Sequence, residues 1–388
     1  MDNYWTNFKK KIIGQKDLAS IGFANIVGSG ISAIFWLYLA SVIEPTEYGE
    51  IHYFIGIATI GSAFSLIGTQ HTITVYTAKK NNIVSTLFLV SLICSVGAGI
   101  IIFILVNRID VSILAILITF FTLGIGTFLG QKNYKKYATY FVIQRILMVT
   151  FGLISYFSFG VEGILFGIAA SYLVYTKIIM DSVRESKIDF SLFKPNRKFI
   201  TNNYFMMVTN SVNTQIDKLL IAPILGFAIL GNYSLALQVI ALLTIAPGII
   251  FKYVVPQDAS GIPSEKLRKQ TILFSIGLSI IGICVSPLLI PIFFEQYTEV
   301  VMIIQIMSLV TIPITISLFY FSKFLALEQS KFTLIGGLIK ISVMVSGIIV
   351  LGSFFGIIGM AISFVLASTI ECIYFHYSFK KLESITKS

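Results

Sequence analysis

The chain is a succession of long apolar runs, and nearly all of its charged residues stand in short clusters between them. Of the 388 residues, 56% are hydrophobic and only 12% are charged. Soluble domains carry about 25% charged residues, so this chain lacks the polar side chains that a water-exposed surface needs. A segment that crosses a bilayer needs about 20 mostly apolar residues, and a helix satisfies its own backbone hydrogen bonds there. The sequence therefore predicts an all-α integral membrane protein.

Charge clusters and Gly or Pro breaks divide these runs into about twelve predicted transmembrane helices. The first six lie near residues 18–43, 51–77, 83–106, 111–131, 138–158 and 161–180. The second six lie near residues 200–222, 225–251, 270–294, 299–325, 333–354 and 356–378. The polar connection 181–198 separates the two sets. We therefore expect an N-terminal six-helix bundle (1–180), a cytoplasmic linker (181–198) and a C-terminal six-helix bundle with a cytoplasmic tail (199–388).

The basic residues indicate how the chain is oriented. If the N-terminus is cytoplasmic, 24 of the 28 Lys and Arg residues fall on the cytoplasmic side, and only Arg108 falls in an outer loop. Cytoplasmic loops collect Lys and Arg, so we expect both termini in the cytoplasm of a multi-pass protein of the cell (plasma) membrane. This distribution also explains the net charge of +10 without a nucleic-acid partner, which would need a basic face on a soluble module.

The two halves carry similar sequences at equivalent places. Between the first two helices the chain reads ASVIEPTEYG (40–49), and between the seventh and eighth it reads APILGFAILG (222–231). The sixth helix opens with GVEG (160–163), and the twelfth opens with GIIG (356–359). Because each half contains an even number of helices, both halves start on the same side of the membrane. The sequence thus predicts a parallel repeat about an axis along the membrane normal.

Five ionisable residues fall inside the predicted helices, where insertion scales put the cost of a charge at about 2.5–3.5 kcal/mol. They are Arg145, Asp217, Lys218, Lys340 and Glu371. Arg145 and Lys340 lie at similar depth in helices five and eleven, and we interpret them as cationic sites for an anionic head group. Lys340 and Glu371 lie at equal depth on adjacent helices, so a structural ion pair between them is the alternative. For Arg145 the alternative is a cation–π contact with Tyr172 or Tyr175.

Helix seven is the most polar of the predicted spans. Its polar side chains recur on one helical face and are Asn203, Asn210, Asn213 and Asp217. We expect this face to line a wet cavity, with Asp217 and Glu371 as acids that take up a coupling ion. Lys218 points about 100° away from Asp217 and is expected to reach outward unpaired. Helix one carries a weaker polar stripe with Asn25. Hydrogen bonding between helices or close packing of small residues is the alternative for these stripes.

Several chemistries lack their sequence signatures. The chain contains no G-x-x-x-x-G-K-[ST] phosphate loop, no H-E-x-x-H and no G-x-S-x-G motif. Cys94, Cys284 and Cys372 lie far apart within apolar runs, and the three histidines show no ligand spacing. We therefore expect no catalytic residue, no metal site and no bound cofactor.

Two segments make the chain resemble the Wzx-type polysaccharide flippases of the MOP superfamily, which also contains the MATE drug exporters and the lipid II flippases. Residues 24–54 look like the family's first helix with an outer loop that ends in Tyr48 and Gly49. Residues 215–239 look like its Ile-Asp-basic-Leu-Leu pattern, followed by Gly-x-Tyr-Ser-x-Ala at 231–236. The chain is short for the family and lacks the two extra helices of many lipid II flippases.

The resemblance implies a MATE-like fold, with two six-helix bundles around a central cavity that opens alternately to each side. It implies a secondary transporter that flips a polyprenyl-(pyro)phosphate-linked oligosaccharide to the outer leaflet for surface polysaccharide or glycan assembly, driven by H⁺ or Na⁺. Arg145, Lys218 and Lys340 would bind the anionic head group. The partners would be the lipid-linked sugar, membrane lipid, and the glycosyltransferases or polymerase of the same pathway.

Three other functions are compatible with a polytopic chain. A MATE-like ion-coupled exporter of small molecules shares the fold, but small cations would favour an acidic cavity. A polytopic glycan polymerase or ligase would need large outer loops, whereas the predicted outer loops are all short. A membrane scaffold would need neither a polar helix seven nor an unpaired Arg145.

Overall fold

The computed structural model describes residues 2–184, 188–259, 264–297, 299–327 and 329–387, and helices make up almost all of them. The helices up to residue 184 are α1 (Asp2–Val42), α2 (Pro45–Ser65), α3 (Gln70–Ala78), α4 (Ile83–Val106), α5 (Ile109–Gly130), α6 (Tyr134–Phe159), α7 (Ile164–Ser171) and α8 (Thr176–Arg184). The later helices are α9 (Phe193–Leu225), α10 (Phe227–Ala259), α11 (Glu265–Phe293), α12 (Val300–Ser308), α13 (Thr311–Ala326) and α14 (Ser330–Lys387). Short 3-10 turns, Val161–Gly163 and Tyr172–Tyr175, flank α7. The described residues contain no strand, and the predicted all-α fold is confirmed.

The described helices supply most of the predicted crossings. Eight segments are long and apolar enough to cross a membrane, and the bent pairs α2–α3 and α12–α13 bring the number to ten. With 58 residues, α14 would be about 87 Å long if straight, far more than the ~30 Å of a hydrocarbon core. Gly356 divides it into two arms, residues 330–355 and 357–387. The predicted seventh crossing falls in α9, a 33-residue helix that is too polar to be among these segments.

Both halves enter their last crossing with the same glycine arrangement. Gly160 (φ +69°) ends α6 and Gly356 (φ +55°) divides α14, and this left-handed backbone disfavours other residues. Three positions further on, each half has a second glycine, where a Cβ would collide with the carbonyl oxygen of the residue eight positions earlier. The pairs are Gly163 with Ser155 and Gly359 with Leu351. The repeat that the sequence predicts is therefore present in the backbone geometry.

Two crossings that the sequence predicts as continuous helices are broken. The predicted helix 51–77 is interrupted between α2 and α3, where the N–H of Gly68 donates to the Oγ of Ser91 over 2.8 Å instead of to its own helix. The predicted helix 299–325 bends by 41° between α12 and α13. Pro313 stands in the first turn of α13, where a missing N–H is tolerated, and it would disrupt a continuous helix. Apolar periodicity alone does not reveal either break.

The chain forms two compact units. Unit 1 comprises Met1–Phe35 and Ile57–Ser211, and unit 2 comprises Trp36–Gly56 and Val212–Ser388. Residues 36–56, which form the end of α1 and the start of α2, are called the α1–α2 corner below; they pack with the second half of the chain. Of the predicted linker 181–198, residues 185–187 lie outside the described residues, and α8 and α9 extend into the rest.

Each unit has its own apolar core. In unit 1, α5 packs against α3, α4 and α7, and the buried side chains of Leu66, Phe88 and Leu123 belong to one cluster there. In unit 2, α10 packs against α11, α12 and α13, and Leu230 and Met307 are fully buried between these helices. In unit 1, α6, which carries Arg145, packs against α5 and α7.

We expect Gly359→Ala to destabilise the protein, because the added methyl group would collide with backbone that cannot move aside. Overpacking of this kind costs about 1–3 kcal/mol. Thermal unfolding of the purified protein in detergent should show a lowered midpoint. Gly277→Ala is the control, since a Cβ there meets no atom within 4 Å and alanine favours a helix. Equal midpoints for the two variants would contradict the close approach of Gly359 in one arm of α14 to Leu351 in the other.

Candidate functional site

Arg145 on α6 is a half-buried cation in unit 1. Its guanidinium carbon lies 5.1 Å from the centre of the Phe141 ring, and its Nη1 lies 3.8 Å from the sulfur of Met148. None of the ion pairs among the described residues involves Arg145. The ring beneath the guanidinium is that of Phe141, and not that of Tyr172 or Tyr175, which was the alternative considered for Arg145. Phe141 stands one helical turn before Arg145, which places its ring on the same face.

Polar side chains from three elements of unit 1 lie in the electrostatic neighbourhood of this cation. Arg145 lies close enough to the hydroxyl groups of Tyr137, Tyr172 and Tyr175 to act on each electrostatically. The side-chain N–H of Asn25 on α1 donates to the hydroxyl of Tyr137 over 3.4 Å. The arrangement is thus a guanidinium with several hydroxyl groups and one amide around it, and no carboxylate pairs with it in the described part of the chain. Such a set of donors suits an anion.

A glycine on α1 allows α6 to approach. A Cβ at Gly28 would lie 2.5 Å from the Phe141 ring and 3.3 Å from the Cγ of Arg145. The small residue therefore serves close helix packing, which is the alternative interpretation of the polar stripe on helix one. Because Gly28 has no side chain, both the Phe141 ring and the aliphatic part of Arg145 can pack directly against α1.

Asp217 and Lys218 on α9 form an ion pair in unit 2, contrary to the sequence prediction. The Nζ of Lys218 lies 3.6 Å from the Oδ1 of Asp217 and donates to the carbonyl oxygen of Thr214 over 3.0 Å. The hydroxyl of Tyr233 on α10 donates to the Oδ2 of Asp217 over 3.0 Å. Although the two Cβ atoms point about 100° apart, a lysine side chain is long enough to fold back along its own helix. Asp217 is 4% exposed, and both of its oxygens have partners.

The other polar residues of the helix seven stripe differ in their surroundings. Asn210 is exposed and belongs to unit 1, whereas Asn213 is half-buried and belongs to unit 2. Within the described residues neither amide makes a side-chain hydrogen bond. Asn203 instead bonds its own helix, donating to the carbonyl oxygen of Phe199 over 2.8 Å. Hydrogen bonding between helices, the alternative for this stripe, is therefore absent at Asn210 and Asn213.

Lys340 and Glu371 face each other across the two arms of α14. The Nζ of Lys340 lies 3.2 Å from the Oε2 of Glu371, and the two side chains are 20% and 14% exposed. The ion pair, which was the alternative for Lys340, is therefore present, and the proposed roles of the two residues in transport stay predictions. Its charges compensate each other, so Lys340 differs from Arg145 in having a carboxylate partner.

The α1–α2 corner packs on the α9–α10 turn through two glycines. A Cβ at Gly49 would collide with the carbonyl oxygen of Phe227, and one at Gly231 would collide with that of Pro45. Gly49 and Gly231 are equivalent in the repeat, and so are Pro45 and Phe227, since each pair is 182 residues apart. The contact is therefore reciprocal, as between equivalent elements around a twofold axis. At this place the two backbones touch with no side chain between them.

A buried aromatic cluster lies within this corner of unit 2. The ring of His52 is centred 4.7 Å from that of Trp36 and 4.6 Å from that of Tyr48. The ring of Tyr297, before α12, stands edge-on to Tyr48 at 6.1 Å, and its hydroxyl donates to the carbonyl oxygen of Ile43 over 3.4 Å. The sequence prediction missed this cluster. The i, i+4 spacing of Tyr48 and His52 is its signal, and a search for metal-ligand spacing does not detect it.

Residues 38–257 match a protein family described as polysaccharide biosynthesis protein. The match covers more than half of the chain and includes the α1–α2 corner, Arg145 and the Asp217–Lys218 pair. No curated protein matches this sequence significantly.

Solved structures of membrane transporters are similar to almost the whole chain. An inward-facing multidrug resistance MATE family transporter of the MOP superfamily aligns with a TM-score of 0.70 at 14% identity, covering 93% of this chain and 95% of that one. An outward-facing one aligns with a TM-score of 0.66 at 13% identity, with 96% and 97% covered. The lipid II flippase MurJ in an inward closed conformation gives 0.70 at 17% identity, with 93% and 87% covered. The predicted MATE-like fold of a multi-pass membrane protein is thereby confirmed.

We expect the Lys340–Glu371 pair to be coupled energetically. Glu371→Gln leaves a half-buried lysine without its carboxylate and should lower stability by about 2 kcal/mol, given that the pair is partly exposed. Lys340→Met combined with Glu371→Met should cost less than the sum of Lys340→Met and Glu371→Met measured singly. Unfolding midpoints of the two single variants and the double variant complete the cycle. Additive effects would contradict the ion pair.

Proposed function

Because this chain belongs to the polysaccharide biosynthesis protein family, we propose that it is a flippase for a polyprenyl-(pyro)phosphate-linked oligosaccharide. The family and the MOP-type fold confirm the resemblance found in the sequence. The substrate would pass from the cytoplasmic to the outer leaflet of the cell membrane, for assembly of a surface polysaccharide or glycan. The lipid II flippase of the same fold handles a lipid-linked substrate, which supports this choice.

Arg145 is the observation that carries the proposal. An arginine inside a membrane protein is costly, and intramembrane charges usually pair with one another. Here the guanidinium contacts the Phe141 ring and the sulfur of Met148, with the hydroxyl groups of Tyr137, Tyr172 and Tyr175 within electrostatic range, and it forms no ion pair in the described part of the chain. A (pyro)phosphate would supply the missing negative charge and would accept hydrogen bonds from the guanidinium in a bidentate geometry.

Lys218 and Lys340 are weaker candidates for the same head group. Each already has a carboxylate, from Asp217 and Glu371 respectively. A phosphate could bind either lysine only after the carboxylate had moved or taken up a proton. Arg145 therefore provides the head-group contact in this conformation, and the two lysines are reserved for later steps of the transport cycle.

The energy source that we propose is an ion gradient. Asp217 on α9 and Glu371 on α14 are the two carboxylates that we propose bind the ion, and each is held in an ion pair with a lysine. Uptake of H⁺ or Na⁺ by either carboxylate would release its lysine for the substrate. This couples ion binding to anion binding through one electrostatic exchange. The chemistry is transport, and no bond of the sugar or the carrier lipid is broken.

The second candidate is a MATE-like ion-coupled exporter of small molecules, which the fold favours equally. The sign of the charge at the site distinguishes the two functions. A cationic drug would be repelled by Arg145, whereas a phosphate-linked sugar would be attracted to it. Arg145 lacks an acidic partner among the described residues, and this favours the flippase.

Arg145→Ala should abolish flipping while the protein remains inserted in the membrane. A hydrogen bond to a charged group contributes about 1.5–3 kcal/mol, so surface glycan should fall at least about tenfold. Surface glycan would be measured by immunoblot in a null strain that carries the variant and no redundant flippase. Arg145→Lys should restore part of the activity, since the charge remains but the bidentate geometry is lost.

Arg184→Ala is the matched control, because Arg184 is exposed at the end of α8. It should leave surface glycan unchanged at equal protein level. Normal glycan with Arg145→Ala would remove the head-group site from the proposal. Normal glycan in the null strain itself would refute the flippase function.

The orientation is tested by cysteine labelling in a variant without Cys94, Cys284 and Cys372. Glu44→Cys places an exposed thiol in the α1–α2 corner, and Ser384→Cys places one near the end of α14. An impermeant maleimide added to intact cells should label the first and not the second, since both termini are proposed to be cytoplasmic. Labelling of Ser384→Cys in intact cells would invert the proposed topology.

A further inference from the structure

His52 is buried, and one of its two ring nitrogens is left without a hydrogen-bond partner. The side chain is 6% exposed, and its Nε2 has no hydrogen-bond partner. Trp36 and Tyr48 cover its ring, and the Tyr48 hydroxyl likewise lacks a partner. A neutral imidazole tolerates such surroundings better than a cation does, because a buried charge without an acceptor is far more costly than a buried polar atom.

The charged groups around the corner add to this cost. Lys218 on α9 lies close enough to His52 to act on it electrostatically, and its positive charge would repel a protonated imidazole. The other titratable groups of the corner and of the elements packed against it are Glu44, Glu47, Tyr48, Glu50, Tyr53, Tyr233 and Tyr297. The described contacts of His52 itself are aromatic, with no carboxylate on the ring.

The glycine contact makes the position of His52 depend on a single backbone interface. Gly49 stands one turn before His52, and its Cα lies directly against the carbonyl of Phe227. Gly56, one turn after His52, lies close to Leu219 and Gln215 of α9. The helical segment around His52 therefore packs against α10 one turn before the histidine and against α9 one turn after it. Any separation of the corner from α9 and α10 would bring the imidazole to water.

We propose that His52 is a proton-binding site, and that its protonation favours separation of the α1–α2 corner from α9 and α10. The neutral imidazole fits the packed corner, whereas the imidazolium would be repelled by Lys218 and would need water. Proton binding and opening thus favour each other, as linked equilibria must. If the chain is the flippase proposed above, Asp217 and Glu371 exchange the coupling ion, and His52 adds a proton-dependent control of opening at the corner; the proton-linked opening itself does not depend on the substrate.

The test measures one distance as a function of pH. In a cysteine-free chain in lipid nanodiscs, spin labels at Thr46→Cys in the corner and Ile224→Cys at the end of α9 occupy two exposed positions of unit 2. Double electron–electron resonance gives the populations of molecules in which the two spin labels are at short and at long separation. Between about pH 8 and about pH 5, the range in which histidine ordinarily titrates, the long separation should rise several-fold.

Substitution of the histidine should remove this response. His52→Gln and His52→Phe should keep the short separation at pH 8, which also shows that they fold, and should retain it at pH 5. His71→Gln is the matched control, since His71 is an exposed histidine of α3, and it should respond like the unsubstituted chain. A response that persists in His52→Gln or His52→Phe overturns the proposal, as does an unsubstituted chain whose separation is independent of pH.

A further variant decides the case if neither substitution of His52 folds. Lys218→Met retains the imidazole and removes the repulsive charge, so the response to pH should shrink at least twofold; an unchanged response overturns the proposal. Failure of the flippase function is a separate outcome. Normal surface glycan with Arg145→Ala, together with a His52-dependent separation, would refute the head-group site and leave the proton site standing.

Discussion

A charged side chain within a bilayer is costly unless an opposite charge, a hydrogen bond or water compensates for it, and this constraint organises the polar residues of the spans. Asp217 has Lys218 and Tyr233, and Lys340 has Glu371. Both sets lie within unit 2 and neutralise themselves. Arg145 in unit 1 has aromatic and hydroxyl neighbours instead of a carboxylate. The constraint that explains the ion pairs therefore also identifies Arg145, whose charge no carboxylate compensates in the described part of the chain, as the residue suited to bind an anion.

Much of the fold follows from the sequence because the bilayer permits few solutions. Apolar runs of membrane-spanning length must become helices, so the positions of most crossings can be read directly. The repeat was also visible, since Gly160 and Gly356 occupy backbone conformations that few other residues adopt. The Lys340–Glu371 pair followed from depth alone, because the rise per residue of a helix is fixed.

The remainder depended on contacts that sequence spacing does not report. Lys218 reaches Asp217 because its side chain folds back, which the angle between adjacent Cβ atoms does not exclude. The ring under Arg145 is that of Phe141, four residues earlier on the same helix. The i, i+4 spacing predicts this contact as well as the tyrosines of the next helix predict theirs. His52 was overlooked because its neighbours Trp36 and Tyr297 are distant in sequence. Of the proposed site, the sequence thus identified the charges and missed what surrounds them.

The reciprocal contact of Gly49 and Gly231 also bears on how such a chain could have arisen. If the two halves descend from one six-helix protein that paired with a second copy, a single ancestral glycine once formed both contacts across a twofold axis. Any side chain at that position would have met a carbonyl oxygen in both subunits at once. Fusion of the two copies would then have given each glycine its own codon, while the geometry still requires both to remain glycine. Joining the copies would have freed most paired positions to diverge, but would have left this one under the same restriction twice.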